Sequence, residues 1–321
     1  MDMYKKREIR KKKREENNEF DKSCTSVNIN WFPGHMQKTK KQITEDLKIV
    51  DIIIELRDAR IPLASKNPII EEITKGKKKI IVLNKSDLSN EEESKKWIEY
   101  FKKIGMEAVL TDSSSGRGLE ECVRRIEKIM SDVLETQAQK GRIGRKIRAM
   151  ILGIPNVGKS SFINRIAKKS VAGVGNKPGI TRQKQWIRVN DKIELLDTPG
   201  VLWPKFESQE VGLRLAFTGT IKEEILDKTE VAYYLTKFLI QNNMNLIIEK
   251  YKIEKEVIEN ILNQENSENE NIYNVMLEIG KRRGCIMQGN RIDEEKTARI
   301  ILDEFKNGKL GKITIEKVGG I

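Results

Sequence analysis

The sequence predicts an α/β fold, a mostly parallel sheet with helices on both faces, followed by an all-helical C-terminal domain. Two observations carry this expectation. Short apolar runs at residues 50–56, 79–83, 107–110 and 148–152 alternate with helical patterns, one of them marked by Trp97, Phe101 and Ile104. Strands separated by helices build parallel sheets buried on both sides. After about Thr218 the strand-like runs give way to residues 231–239, 244–251, 257–262, 272–279 and 294–305, all with helical spacing.

Residues 1–27 are a charged tail. Between Tyr4 and Arg14 lie Lys5, Lys6, Arg7, Arg10, Lys11, Lys12, Lys13 and Arg14, with Glu8 the only acid. Such a segment has little apolar surface to bury and is expected to be disordered when free. A solubility tail and an arm laid on phosphates both fit it. Met36, Ile43, Leu47 and Val50 recur at helical spacing, so a helix is expected after Pro33-Gly34. Asn190-Asp191 predicts a hairpin joining 185–189 to 193–196. Residues 263–271 read as a polar loop. The expected organisation is a tail (1–27), a sheet domain (28–217) and a helical domain (218–321), with no internal repeat.

Composition narrows the class. Of 321 residues, 61 are Lys or Arg and 48 are Asp or Glu, a net charge of +13. A basic excess of this size favours a polyanionic partner, nucleic acid first. No run approaches the roughly 18 apolar residues of a membrane span. Residues 1–14 lack the apolar core of a signal peptide. Cys24, Cys122 and Cys285 are odd in number and scattered, which fits a reducing cytosol and disfavours a disulfide framework or zinc site.

Gly153-Ile154-Pro155-Asn156-Val157-Gly158-Lys159-Ser160 satisfies G-x-x-x-x-G-K-[ST], with an apolar strand before it and a helical pattern after it. Glycines let backbone N–H groups curl around phosphate oxygens, and the following helix presents its N-terminus to the anion. The expected contacts are Pro155, Asn156, Val157, Gly158, Lys159, Ser160 and Ser161. Lys159 neutralises the terminal phosphates and the Ser160 hydroxyl can ligate magnesium.

Asn84-Lys85-Ser86-Asp87 follows the strand at 80–83. The Asp87 carboxylate can accept from both N1–H and the exocyclic amine of guanine, a pairing adenine cannot offer. Such a mismatch discriminates by roughly 10⁴. Lys85 can lie over the base, and Asn84 can tie loops together. Ser113 and Ser114 are candidate contacts to the guanine O6 edge. Alone, the four-residue pattern would also fit an exposed turn; the phosphate loop makes guanine the expected base. Asp197-Thr198-Pro199-Gly200 closes the run at 193–196. Asp197 can hold magnesium through water, and the Gly200 N–H can reach the γ-phosphate. Thr181, in Pro178-Gly179-Ile180-Thr181, could complete the magnesium shell, although an ordinary loop threonine reads the same. Asp58 and Arg60 follow a strand end, where sheet ligand sites lie; a local ion pair holding the loop explains them equally.

The order of these motifs is unusual. In an ordinary small GTPase the phosphate loop comes first and N-K-x-D late. Here N-K-S-D (84–87) precedes the phosphate loop (153–160), and D-T-P-G (197–200) comes last. Joining the ends of such a fold and cutting it elsewhere preserves the sheet, and the γ-phosphate loop then runs directly into the C-terminal domain. With W-F-P-G-H-M (31–36), D-A-R-I-P (58–62), P-G-I-T (178–181), D-T-P-G-V-L-W-P-K-F (197–206) and G-K-R-R-G-C (280–285), the sequence resembles the circularly permuted GTPases, specifically the ribosome biogenesis GTPase A family. The resemblance covers nearly all of the chain after about Ile29. It implies a bacterial or organellar GTP-hydrolysing factor for late assembly of the large ribosomal subunit, stimulated by the particle; a cytoplasmic location is expected. It also implies potassium at Asn156 and a catalytic role for His35. The basic tail is longer than the family's usual start, so its role is not covered.

Val201 stands where many GTPases carry a water-orienting glutamine, so slow intrinsic turnover is expected. His35, Lys159, Thr181 and Gly200 are the candidate catalytic groups; by its position alone His35 reads as a helix cap or packing group, and the resemblance gives it the catalytic role. Lys140, Arg142, Arg145, Lys146, Arg148, Lys281, Arg282, Arg283 and Arg291 are candidate RNA contacts. Aromatic content of 6% favours phosphate and shape recognition over base stacking. A GTP-dependent RNA placeholder with little turnover, or a GTPase acting on another RNA, are the alternative readings. The chain is expected to act as a monomer away from membranes.

Overall fold

In the computed structural model, the described residues are 36–142, 144–170, 186–196, 208–221 and 226–319. Helix α1 (Met36–Asp46) and a 3-10 turn (Leu47–Ile49) lead into β1 (Ile52–Asp58). Then follow α2 (Pro68–Ile73), β2 (Lys78–Asn84), α3 (Glu91–Lys103), β3 (Glu107–Leu110), α4 (Leu119–Gln139) and β4 (Ile147–Gly153). After these come α5 (Lys159–Ser170), β5 (Trp186–Arg188) and β6 (Ile193–Leu196). The six strands form one sheet in the order β3-β2-β1-β4-β6-β5, all parallel except β5, which runs antiparallel to β6. The hairpin expected around Asn190 is present, and the Asn190 Oδ1 accepts from the Lys192 and Ile193 amides in its turn. Gln185, expected in its first strand, lies outside the described residues.

Strand β1 is buried along its whole length, as a central parallel strand must be. Its side chains alternate between two covered faces. Ile52, Ile54 and Leu56 join Ile126 of α4 and Phe162 of α5. Ile53 packs with Ile43, Leu47 and Ile70 beneath α1 and α2, and further along this face Ile81 and Leu83 meet Trp97 and Phe101 of α3. Two charges share that second face. Glu55 is ion-paired with Arg57 at 2.7 Å and Lys79 at 3.0 Å. Burial would raise the Glu55 carboxyl, but the two cations outweigh it and hold it lowered.

The C-terminal region is helical: α6 (Gln209–Phe217), α7 (Lys228–Tyr251), α8 (Lys255–Leu262), α9 (Glu268–Arg282) and α10 (Glu294–Lys306). The two helices expected at 231–239 and 244–251 are one element, α7, broken in dihedral space at Asn243 (φ −150°, ψ 40°). Helix α9 starts inside the expected polar loop, because the Ser267 hydroxyl accepts from the Glu270 amide and caps it. Between α9 and α10 lies one small hairpin, β7 (Ile286–Met287) and β8 (Arg291–Ile292). Its turn places Gly289 and Asn290 both at positive φ, 82° and 56°. The apolar core runs without a break from the α4/α5 side of the sheet through Leu215 and Phe217 to Leu235, Met276 and Phe305. Among the described residues no helix is long and apolar enough to cross a membrane.

After α10 the chain turns back as a strap, residues 307–318, over the loops at the C-terminal ends of β1 and β2. The Ile313 amide donates to the Leu88 carbonyl and the Ile315 amide to that of Arg60. Trp97 Nε1 donates to the Glu316 carbonyl at 2.8 Å. The Glu316 carboxylate accepts from the Leu63 and Ala64 amides at 2.6 and 2.9 Å and from Arg214 Nη1 at 2.9 Å.

Candidate functional site

Ligands of parallel sheets bind where strands end and loops begin. Strand β4 ends at Gly153 and α5 starts at Lys159, so residues 154–158 are the intervening loop. The glycines at its two ends, Gly153 and Gly158, are dictated by space. A Cβ at Gly153 would lie 2.7 Å from the Leu56 carbonyl, and one at Gly158 would lie 2.4 Å from Asn84 Nδ2. Asn156 takes the left-handed conformation, φ 57°, which asparagine tolerates. Lys159 is buried, and its Nζ donates to the Gly153 and Ile154 carbonyls at 3.1 and 2.7 Å. The ammonium is thereby held within the loop. Ser160 and Ser161 are exposed in the first turn of α5, where free amides and the helix dipole favour an anion.

The base motif meets this loop directly. Asn84 closes β2, and its Nδ2 donates to the Val157 carbonyl at 2.9 Å. Its Oδ1 accepts from Thr111 Oγ1 at 3.1 Å and from Ser113 Oγ at 2.7 Å. One buried amide therefore joins the loops after β2, β3 and β4. Lys85 follows at φ 60°, its Nζ 3.1 Å from Asp58 Oδ2. Asp87 is half-buried, and burial followed by the nearby Asp112 carboxylate raises its carboxyl. Burial would also raise Asp112, but hydrogen bonds from Ser114 and Ser115 outweigh it and lower the group. Ser113 and Ser114 sit in this loop as expected, with their hydroxyls on Asn84 and on Asp112 (2.6 Å).

Asp58 and Arg60 form a bidentate ion pair: Nε and Nη2 reach the two carboxylate oxygens at 2.9 and 2.8 Å. Sequence reasoning missed Thr111, Asp112 and Gly219. The first two are ordinary loop residues whose only signal is a place after a strand end. Gly219 follows α6, and its carbonyl accepts from Asn156 Nδ2 at 2.6 Å. That bond fixes the Asn156 amide and leaves Oδ1 as its acceptor atom. His35, Thr181, Asp197, Gly200 and the 1–27 tail lie outside the described residues.

Of the basic residues expected to meet RNA, several have internal partners. Arg145 reaches Asp51 at 2.6 Å, Lys146 pairs with Glu194, and Arg148 lies 5.2 Å over the Trp186 ring. Lys281 and Arg282 pair with Glu278, and Arg283 with Glu304. Lys140 and Arg142 are exposed.

Strand order, phosphate loop and base motif together describe a guanine-nucleotide fold in which the strand carrying the phosphate loop is central but fourth along the chain. Known proteins agree. The family profile described as RsgA GTPase matches residues 36–207, and that described as 50S ribosome-binding GTPase matches residues 148–277. Ribosome biogenesis GTPase A of Bacillus cereus is 45% identical, covering 90% of this chain and 93% of that protein. Mitochondrial ribosome-associated GTPase 1 of Mus musculus is 33% identical over 89% of this chain and 90% of its own. The solved GNP-bound YlqF from T. maritima superposes with a TM-score of 0.58 at 26% identity, covering 87% of this chain and 98% of that one.

Proposed function

The chain belongs to the ribosome biogenesis GTPase A family and is a GTP hydrolase, and from that premise we propose that it acts as an assembly factor on a precursor of the large ribosomal subunit. In this reading the particle stimulates hydrolysis. The observation that carries the nucleotide assignment is the Asn84–Val157 bond, which brings base-reading and phosphate-binding loops together at 2.9 Å. Asp87 reads guanine, Lys85 lies along the base, and Lys159 neutralises the phosphates. Ser113 and Ser114 border the base, and residues 155–161 cradle the phosphates. The proposed division at 217/218, after the last residue of α6, leaves the groups that touch the nucleotide before it and assigns particle contact to the residues after it.

A family of this kind uses magnesium, which when bound offsets charge on the phosphate oxygens. The hydroxyl of Ser160, exposed beside Lys159, suits such a hard cation. Thr181 and Asp197 are its further proposed ligands. Potassium is proposed at Asn156, whose amide Gly219 orients. Gly200 would meet the γ-phosphate and His35 would position the attacking water. The partners are GTP, GDP and the precursor with its rRNA, met by a monomer in the cytoplasm.

Co-sedimentation with large-subunit precursor particles tests the partner. Retention with a non-hydrolysable GTP analogue and release with GDP are expected. Retention independent of nucleotide, or none in either state, would contradict the reading.

A further inference from the structure

The loop after β1 holds an ion cluster that neither the phosphate grip nor base reading by Asp87 requires. Asp58 is 2% exposed and Arg60 1% exposed. The Asp58 Oδ2 lies 2.8 Å from Arg60 Nη2 and 3.1 Å from Lys85 Nζ. One carboxylate oxygen thus holds both a buried arginine and the lysine of the base motif. A lysine stem has four rotatable bonds and is costly to hold in one place. Pinning its ammonium fixes the path of the stem.

Arg60 also faces the other way. Its Nη1 donates to the Phe305 and Lys306 carbonyls, each at 3.3 Å, in the last turn of α10. Its guanidinium lies 5.3 Å over the Phe305 ring. The last carbonyls of a helix lack intrahelical donors, and a cation there also complements the helix dipole. The Arg60 carbonyl in turn accepts from the strap amide of Ile315 at 2.9 Å. The planar, forked guanidinium reaches a carboxylate and two carbonyls at once.

We propose that Asp58 is a positioning residue for Lys85, and that Arg60 makes this positioning depend on the seating of α10 and the strap. Guanine-nucleotide binding and docking of the helical region are then coupled, and the coupling runs in both directions. If α10 lifts, Arg60 loses two acceptors while buried, and a guanidinium with unpaired donors must reorient. Asp58 loses its bidentate partner and Lys85 its fixed anchor. This inference rests on the assignment of residues 84–87 to the guanine base.

GDP affinity of the full chain, titrated with a fluorescent GDP analogue, tests it. The variants are Asp58→Asn, Lys85→Met and the two combined, with Asp87→Asn in parallel. Asp58→Asn and Lys85→Met should each weaken GDP binding about tenfold. The double variant should be no weaker than Lys85→Met alone, because both changes remove one contact. Two independent contributions to affinity would give factors that multiply, and a residue that only stabilises the fold would leave the affinity of the folded protein unchanged. Multiplying factors, or unchanged affinity in Asp58→Asn, would overturn the proposal. Unchanged affinity in Asp87→Asn would instead remove the base assignment on which it stands. If Asp58→Asn does not fold, Arg60→Lys serves, since it keeps the charge and loses the fork. GDP should slow proteolysis of residues 307–318 in the wild type and not in Arg60→Lys; equal protection in both would overturn the coupling.

Discussion

The side-chain amide of Asn84 donates to the backbone carbonyl of Val157 at 2.9 Å, across 73 positions of sequence. In an unpermuted order these loops would appear the other way round along the chain. Their contact does not depend on order, because β2 and β4 flank β1 in the sheet whichever is made first. What the permutation changes is the neighbour downstream: residues 197–207 lead into α6, and Arg214 on α6 reaches Glu316 of the strap at 2.9 Å.

Guanine selectivity should reside in Asp87. Asp87→Asn is expected to weaken GTP binding and to let xanthosine triphosphate compete, since the exocyclic partner is then an oxygen. Equilibrium competition between the two nucleotides checks this, and wild-type GTP affinity in the variant would refute it.

Asp58 gives stability a pH dependence of known sign. Burial alone would raise its carboxyl, but Arg60 and then Lys85 hold it far below the ordinary 3.8. A depressed carboxyl contributes stability above its unfolded pKa, and that contribution is lost as pH falls through the folded one. The melting-temperature gap between wild type and Asp58→Asn should therefore be constant near neutrality and shrink below about pH 4. A gap that widens on acidification would contradict the ion pair.

Much of the site was legible because its chemistry restricts residue type. Gly153 and Gly158 are fixed by backbone and amide neighbours, Lys159 supplies an ammonium donor to two backbone carbonyls, and at Asn84 the isosteric aspartate could not donate to the Val157 carbonyl. The strap was not legible. Ile313 and Ile315 alternate with Thr314 and Glu316 as in a strand, yet all four are buried against loops, and their partners are Leu88, Asn90 and Arg60 rather than a neighbouring strand. Helix α4 falls among the helical patterns expected between strands, and Leu119, Cys122, Ile126 and Met130, which recur at helical spacing and are buried, give its residues. The β7–β8 hairpin has strands of two residues, too short for any alternation to register.

Binding to RNA should depend steeply on salt, because phosphate neutralisation releases counterions. Deleting residues 1–14 should flatten the slope of log affinity against log salt while GTP affinity stays intact. An unchanged slope would make the tail a solubility device.

His35 is expected to act on the attacking water, since Val201 offers it no hydrogen bond. His35→Ala should preserve nucleotide affinity and particle attachment and lower stimulated kcat on the order of 10²-fold. A purely capping role would instead cost about 1 kcal/mol of stability and leave turnover unchanged. Melting temperature and stimulated turnover on one preparation separate the two.

The most direct measurement is GTP turnover by the full chain in potassium, with and without large-subunit precursor particles. Slow turnover alone and a rise of about tenfold or more with particles is the expected result. Equal turnover in the two conditions would contradict a particle-stimulated GTPase.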